Sequence, residues 1–225
     1  MDFIGTKTSN TNDCLVVKKT ACKNPRIRIR QDGKNGKIDH KIILSVPFFY
    51  TQEQIFEVLA SCDGWIKKSF EKIKRHHFEV QDFFSHHRDE ILFFGKWVTH
   101  TPQMDLVYLK KELLNYIEAR TKSLANDMGL IYRKISVRTS KTRLGSCSYQ
   151  DNLNFSVLLI FAPQALIDYV IIHELAHIAH KNHSRDFWDL VGKFCPDYKE
   201  KRQELHKNVK FYIPMLEKIL SLSAV

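Results

Sequence analysis

One segment of this 225-residue chain, IIHELAHIAHKNHSRDFW from Ile171 to Trp188, restricts its fold and chemistry more than any other. The segment holds four histidines and one glutamate, and its first half is otherwise apolar. We predict a helix here, opened by Pro163, because proline is tolerated at the first helical position. His173 and His177 then lie on the same face of the helix, one turn or roughly 5.4 Å apart. Two imidazoles at that separation can bind one metal ion.

The glutamate beside the first of these histidines indicates catalysis. Glu174 points about 100° round the helix from His173, where it can reach a water on the metal without binding the ion itself. The pattern H-E-x-x-H predicts hydrolysis by a zinc-activated water, with the glutamate as general base. A closed structural zinc site is the weaker alternative, because such sites usually contain cysteine.

A catalytic zinc usually has three protein ligands and one open position, so a third ligand is needed. His180 shares the helical face, but it lies about five residues beyond the level of the ion, or roughly 7.5 Å of helix rise. His183 follows Lys181 and Asn182, where the helix is expected to stop and the chain to fold back. This favours His183 as the third ligand, with His180 near the ion or facing the substrate.

The charge of the chain bears on its partners. A formal net charge of +10 and an isoelectric point near 9.3 favour anionic partners such as nucleotides, nucleic acid or acidic surfaces. Arg26, Arg28 and Arg30 alternate with two isoleucines, which predicts a strand with one basic face. That face can bind phosphates, or it can be the exposed side of an edge strand, where charge discourages aggregation.

The cysteines and the apolar segments predict a cytoplasmic protein. Five cysteines, an odd number without any CxxC pair, indicate neither a disulfide framework nor a zinc ribbon, and fit a reducing compartment. No signal peptide is evident at the N-terminus. The longest apolar stretch, around Val157 to Ala162, is too short to cross a bilayer, so no membrane partner is expected.

The pattern of segments predicts two regions after a flexible N-terminus at residues 1–13. Residues 14–104 read as a β-rich region with a hairpin and one long helix that begins at a T-x-x-Q capping box. Thr101 and Pro102 interrupt the pattern, which places a boundary near residues 100–105. Residues 105–225 read as the catalytic domain, where LNFSVLLIF is expected to be a strand.

The run RLGSCSYQDNLNFSVLLIFAPQALIDYVIIHELAHIAHKNHSRDFW resembles the YgjP-like metal-dependent hydrolases, relatives of the WLM and SprT-like proteins in the minigluzincin group. SVP and LFFGKWV in the N-terminal half extend the resemblance to roughly residues 20–200. The chain departs from the family pattern at Leu144, where the family has tryptophan. Metzincins have the same spacing as the one between His177 and His183, but they require glycine at the position of His180. The chain therefore does not fit the metzincin group.

The resemblance implies an α+β fold with a zincin-like core, in which the HExxH helix packs on a small sheet behind an N-terminal hairpin and helix region. It also implies that His173, His177 and His183 bind zinc and that Glu174 is the catalytic base. The ligand set agrees with the choice made from helix geometry.

Arg143 and Gly145 precede the strand that leads to the HExxH helix. Negative charge develops on the attacked oxygen in a zinc hydrolase, and a nearby donor can share it with the metal. Arg143 can be that donor, can hold an anionic substrate, or can simply fix its loop. Gly145 is expected to serve the turn.

These observations together predict a metallopeptidase with one Zn²⁺, because imidazole ligands suit zinc well. Its substrate is expected to be a peptide or protein. Two alternatives stay open: a nucleotide or phosphoanhydride hydrolase that uses the same zinc site, and a nucleic-acid-associated protein of the SprT-like kind.

Overall fold

The computed structural model describes residues 14–34 and 37–222. The predicted flexible segment at residues 1–13 lies outside the described residues. Contacts divide the chain into two compact units, residues 1–77 and 78–225. None of the helices in the described ranges is long and apolar enough to cross a bilayer.

The first unit contains a three-stranded sheet of β1 (Cys14–Thr20), β2 (Arg26–Lys34) and β3 (Lys37–Pro47). The strand order is β1-β3-β2, with β1 parallel and β2 antiparallel to the central β3. The predicted hairpin is therefore confirmed. Leu44 and Val46 of β3 are fully buried, since the apolar side chains of an alternating strand share one face.

Helix α1 (Gln52–Ser85) begins at the predicted capping box. The backbone N–H of Thr51 donates to Oε1 of Gln54 at 3.0 Å, and the backbone N–H of Gln54 donates to Oγ1 of Thr51 at 3.3 Å. These two bonds satisfy backbone donors that the first turn of a helix leaves open, and they fix where α1 starts.

The second unit begins with the end of α1 and a hairpin of β4 (Glu90–Phe93) and β5 (Lys96–Thr99). Helix α2 (Leu106–Met128) follows, and Asp105 caps it by accepting the N–H of Tyr108. It ends at Gly129, whose left-handed φ of 67° suits a residue without a Cβ.

A second small sheet consists of β6 (Lys134–Arg138), β7 (Gly145–Cys147) and β8 (Asn152–Ser156). Its strand order is β6-β8-β7, with β6 parallel and β7 antiparallel to β8. Strand β7 is thus an edge strand of this sheet. Three helices complete the unit: α3 (Gln164–Ala179), α4 (Arg185–Phe194) and α5 (Tyr198–Leu222).

The prediction of one strand over LNFSVLLIF is wrong beyond Ser156. Residues Val157–Phe161 form a short 3₁₀-helix, and the side chain of Ser156 caps it by accepting the N–H of Leu158 at 3.2 Å. All five residues of this 3₁₀-helix are buried. A short, uninterrupted apolar run is compatible with either element, because burial on all sides removes the alternation that identifies a strand.

Helix α3 lies in the core of the second unit. Nine of its sixteen residues are buried, which is expected of a helix that is apolar on most sides. It contacts α2, α4, α5 and the edge strand β7. Asp168 also ties it to α2, since this carboxylate accepts hydrogen bonds from the hydroxyl of Tyr116 and the guanidinium of Arg120. The predicted α+β class, with the HExxH helix on a small sheet, is confirmed.

The predicted division into residues 14–104 and 105–225 stays a prediction. The β4–β5 hairpin lies on the N-terminal side of that boundary, yet Ile91 of β4 belongs to the core of the second unit. Strands of four residues carry too little pattern for the sequence to show where they pack.

Candidate active site

Helix α3 presents His173 and His177 on one face, as their spacing predicts. Their ring centroids are 5.0 Å apart, and both side chains are partly buried. Nδ1 of His177 lies 3.1 Å from the backbone carbonyl of His180. A carbonyl can only accept, so Nδ1 carries the proton and Nε2 keeps its free lone pair.

The chain folds back after α3 and returns His183 to the other two histidines. Helix α3 ends at Ala179, because His180 has an extended backbone with φ −129° and ψ 102°. Ser184 caps α4 by accepting the N–H of Phe187. In the turn between the two helices, Nε2 of His183 comes to 3.1 Å from Nε2 of His173.

The structure therefore brings His173, His177 and His183 into one group. One nitrogen from each imidazole lies within 4.8 Å of the other two. His180 is outside this group and does not line the adjacent cavity. Only its backbone carbonyl contacts the cluster, through His177.

Two aromatic side chains of α4 support the cluster. Phe187 is fully buried, and its ring centroid lies 4.9, 4.5 and 4.7 Å from those of His173, His177 and His183. Trp188 stacks on His183, with centroids 5.5 Å apart and an interplanar angle of 26°. Although His183 is exposed, its ring is thus held from two sides.

Burial keeps the two helical imidazoles neutral. It lowers the pKa of His173 to about 3, with smaller contributions from the neighbouring imidazoles and from the charge of Arg202. Burial also lowers the pKa of His177. Neutral imidazoles have free lone pairs at pH 7, so neither ring has to lose a proton before it binds a metal.

Glu174 lies against strand β7, lines the same cavity as His173 and His183, and is 5% exposed. Burial raises the pKa of this carboxyl to about 8, against a smaller opposing effect of a hydrogen bond from the backbone N–H of Cys147. Oε2 has no hydrogen-bond partner among the described residues. An ionised carboxylate in such a place is costly unless a positive charge or a donor accompanies it.

Gly145 has a different role from the predicted one. A Cβ built on this residue would lie 2.4 Å from Oε1 and 2.7 Å from Cγ of Glu174. The residue is therefore glycine because the carboxylate lies against the β7 backbone, and not because a turn needs it. The sequence alone does not reveal this contact, because Gly145 and Glu174 are far apart along the chain.

We predict that Gly145→Ala displaces the carboxylate of Glu174 and lowers the rate of hydrolysis by about 100-fold, the usual cost of misplacing a reacting group by roughly 1 Å. Bound zinc should stay at the wild-type level, because the imidazoles do not contact this glycine. Steady-state kinetics and metal analysis of the same preparation check both statements. Gly192→Ala is a matched control, because its added Cβ would meet only Tyr198, at 3.6 Å. Wild-type rates in Gly145→Ala would contradict the prediction.

A cavity of about 600 Å³ opens over the histidine cluster. His173, Glu174 and His183 line its floor, and its walls come from the loop before β7 and from α5. Arg143 lies on that loop, exposed, and also lines a second cavity of about 260 Å³ beside β7 and β8. Its guanidinium has no ion-pair partner in the described part of the chain.

Comparison with known proteins identifies a family that part of the chain matches. Residues 106–208, from the start of α2 into α5, match the YgjP-like family, described as a metallopeptidase domain. This match confirms the predicted resemblance over those residues, which include every candidate site residue, and it supports a metal-dependent hydrolase of the peptidase kind. The crystal structure of the metallopeptidase zymogen of Pyrococcus abyssi abylysin is similar at 21% identity, over 41% of this chain and 93% of that one, with a TM-score of 0.39. No curated protein matches the chain significantly.

Proposed function

We propose that this chain, through the domain that matches YgjP-like metallopeptidases, is a zinc-dependent peptidase. In this proposal His173, His177 and His183 bind one zinc ion, and Glu174 is the general base. The observation that carries it is the meeting of three imidazoles beside a buried carboxylate that has no cationic partner in the described residues. We further propose that residues 105–225 are the catalytic domain.

The residues present fit a zinc ion. Three imidazole nitrogens leave one of the four usual zinc positions open, as catalytic sites require. A positive ion beside Glu174 would also offset the cost of ionising a carboxylate whose pKa burial has raised to about 8. The same buried carboxylate would have no purpose in a closed structural site.

Bound zinc supplies Lewis-acid chemistry, in that it polarises the substrate carbonyl and lowers the pKa of a water toward about 7. Glu174 takes the proton of the attacking water on its free Oε2, holds it within the buried pocket, and donates it to the leaving amine. A base with a pKa near the working pH is suited to both steps. We propose that Arg143 contacts the substrate from the lip of the cavity, and that His180 acts through its backbone carbonyl by orienting His177.

The site also fits an extended peptide. Strand β7 is the edge of its sheet and lies against Glu174, so a substrate strand can add to it by backbone hydrogen bonds. The second cavity, which Ser146 and Asn154 help to line, continues along the same sheet. A cleft of this kind beside the base favours peptide over compact substrates.

One observation favours the second candidate, a phosphoanhydride hydrolase. The cavity over the histidines has basic walls, to which Lys141, Arg143 and Arg202 contribute. The nucleic-acid alternative gains no support from the family match. Arg26, Arg28 and Arg30 are exposed on the edge strand β2, and their role stays a prediction, as does the cytoplasmic location.

A substrate panel under metal control tests the proposal. We expect cleavage of unstructured peptides to be lost when a chelator removes the metal, and to return with one equivalent of zinc. Nucleoside triphosphates are incubated in parallel, and release of phosphate or pyrophosphate is measured. Zinc-dependent phosphate release without peptide cleavage would replace the first candidate with the second.

A further inference from the structure

The side chains that line the cavity over the histidines carry more positive than negative charge. Glu174 is the only carboxylate that lines it in the described part of the chain, whereas Lys141, Arg143 and Arg202 contribute positive charge. Arg202 and His206 come from α5, where residues four apart share a face. The reacting carbonyl of a bound substrate would therefore lie next to a region of positive potential.

The cations of this cavity differ in whether they already have a partner. Nζ of Lys141 lies 2.6 Å from a carboxylate oxygen of Glu217, which neutralises much of its charge. Arg143 and Arg202 have no ion pair within the described residues. Elsewhere in the same unit, lysines and arginines such as Arg120, Lys181 and Lys201 do pair with carboxylates.

Arg202 is exposed and makes a cation–π contact with an aromatic side chain. Its guanidinium carbon lies 5.3 Å from the ring centroid of Trp188. Trp188 in turn stacks on Tyr198, at 5.1 Å and 16°, and on His183. A guanidinium that lies over an aromatic ring keeps its N–H edge free, and that edge matches the two oxygens of a carboxylate.

We propose that Arg202 is a specificity-determining residue that binds a carboxylate of the peptide substrate close to the scissile bond. This inference rests on the proposed peptidase function. The carboxylate can come from an aspartate or glutamate side chain or from the C-terminus of the substrate, and both present the same planar group. Trp188 contacts both His183 and Arg202, so one side chain links the proposed carboxylate site to the proposed zinc ligands.

The charge balance favours a carboxylate over a nucleotide. A nucleoside triphosphate brings several phosphate charges, whereas the described residues contribute only two unpaired guanidinium groups to the cavity lining. The lysine, whose compact charge is well suited to phosphate, is already engaged by Glu217. A single carboxylate needs only one of these two guanidinium groups.

The test measures a ratio of rates on paired peptides. Each pair has one sequence and differs only in Asp or Glu against Asn or Gln near the cleaved bond, or in a free against an amidated C-terminus. For wild type we expect kcat/KM to favour the carboxylate member by about 10- to 100-fold, the range of a charge-assisted hydrogen bond, chiefly through KM. Comparison of the side-chain pairs with the C-terminal pairs identifies the source of the carboxylate.

Arg202→Gln should bring this ratio close to one, and Arg202→Lys should leave an intermediate ratio. Arg133→Gln, at an exposed arginine outside the cavity, should leave the ratio unchanged. A ratio near one in wild type, or a wild-type ratio in Arg202→Gln, overturns the inference. A wild-type ratio in Arg202→Gln is also what a purely structural role of Arg202 would give, because the rates on both members of each peptide pair would then fall together.

A binding measurement separates this inference from the proposed function. Zinc-loaded Glu174→Gln is titrated calorimetrically with an acidic peptide and with its amide twin, because this variant should bind without turnover. If wild type cleaves no peptide, the peptidase proposal fails, and the calorimetry still decides the carboxylate site. Tighter binding of the acid that is lost in Glu174→Gln/Arg202→Gln supports the site, and equal binding of both peptides overturns it.

Discussion

Glu174→Gln should retain one zinc per chain and hydrolyse peptides about 10³-fold more slowly than wild type. The amide keeps the size of the side chain but cannot accept a proton, and removal of a general base typically costs roughly 10²- to 10⁴-fold in rate. The imidazoles of His173, His177 and His183 do not depend on this carboxylate for their positions, so metal content should not change. Metal analysis and steady-state kinetics on the same samples measure both quantities.

Glu118→Gln is the matched control, since Glu118 is an exposed glutamate of α2. It should behave as wild type in both assays. Equal rates for Glu174→Gln and wild type would remove Glu174 from the mechanism. Loss of zinc in Glu174→Gln would instead show that the carboxylate helps to hold the ion.

The same variant also reports on the burial of the carboxylate. Burial raises the pKa of Glu174 from 4.5 to about 8, so the ionised form is less stable in the folded chain than in the unfolded one. The contribution of Glu174 to the free energy of unfolding is therefore complete below the pKa that this carboxyl has in the unfolded chain. It is lost as the pH rises through the pKa that the carboxyl has in the folded chain. The free energy of unfolding of metal-free wild type, relative to Glu174→Gln, should therefore fall between pH 4.5 and 8. Chemical denaturation at several pH values in the presence of a chelator measures this difference.

The sequence was most informative where function depends on local geometry. The positions of His173, His177 and Glu174 on one helix follow from 3.6 residues per turn. The return of His183 follows from the polar residues that stop α3 before it. These are properties of the backbone over about a dozen residues, and no knowledge of the rest of the fold is needed to predict them.

The remaining features depend on contacts between distant segments. The sequence predicts a turn role for Gly145 because Glu174, its neighbour in space, is 29 positions away along the chain. Arg202 belongs to no sequence motif, and it is a candidate because α5 contributes it to the cavity lining, where its guanidinium lies over Trp188. The run Val157–Phe161 is predicted to be a strand because its complete burial removes the periodicity that would distinguish a strand from a helix.

His183→Ala should lower zinc affinity by more than about 100-fold, whereas His180→Ala should leave it at the wild-type value. Loss of even an outer partner of a metal ligand typically costs roughly 10- to 100-fold in affinity, and loss of a ligand should cost more. His183 lies in the turn after α3, so its replacement leaves the two helical imidazoles where they are. His180→Ala is a close control, because the backbone carbonyl that accepts from Nδ1 of His177 is retained.

The two variants together decide which histidine completes the site. Competition with a chromogenic chelator gives the affinities, and peptide hydrolysis at saturating zinc shows whether a weakly bound ion restores the rate. We expect His183→Ala to stay inactive at zinc concentrations that saturate wild type. The opposite pattern, in which His180→Ala loses zinc and His183→Ala keeps it, would mean that the chain closes on the ion through a turn different from the one that brings Nε2 of His183 to 3.1 Å from Nε2 of His173.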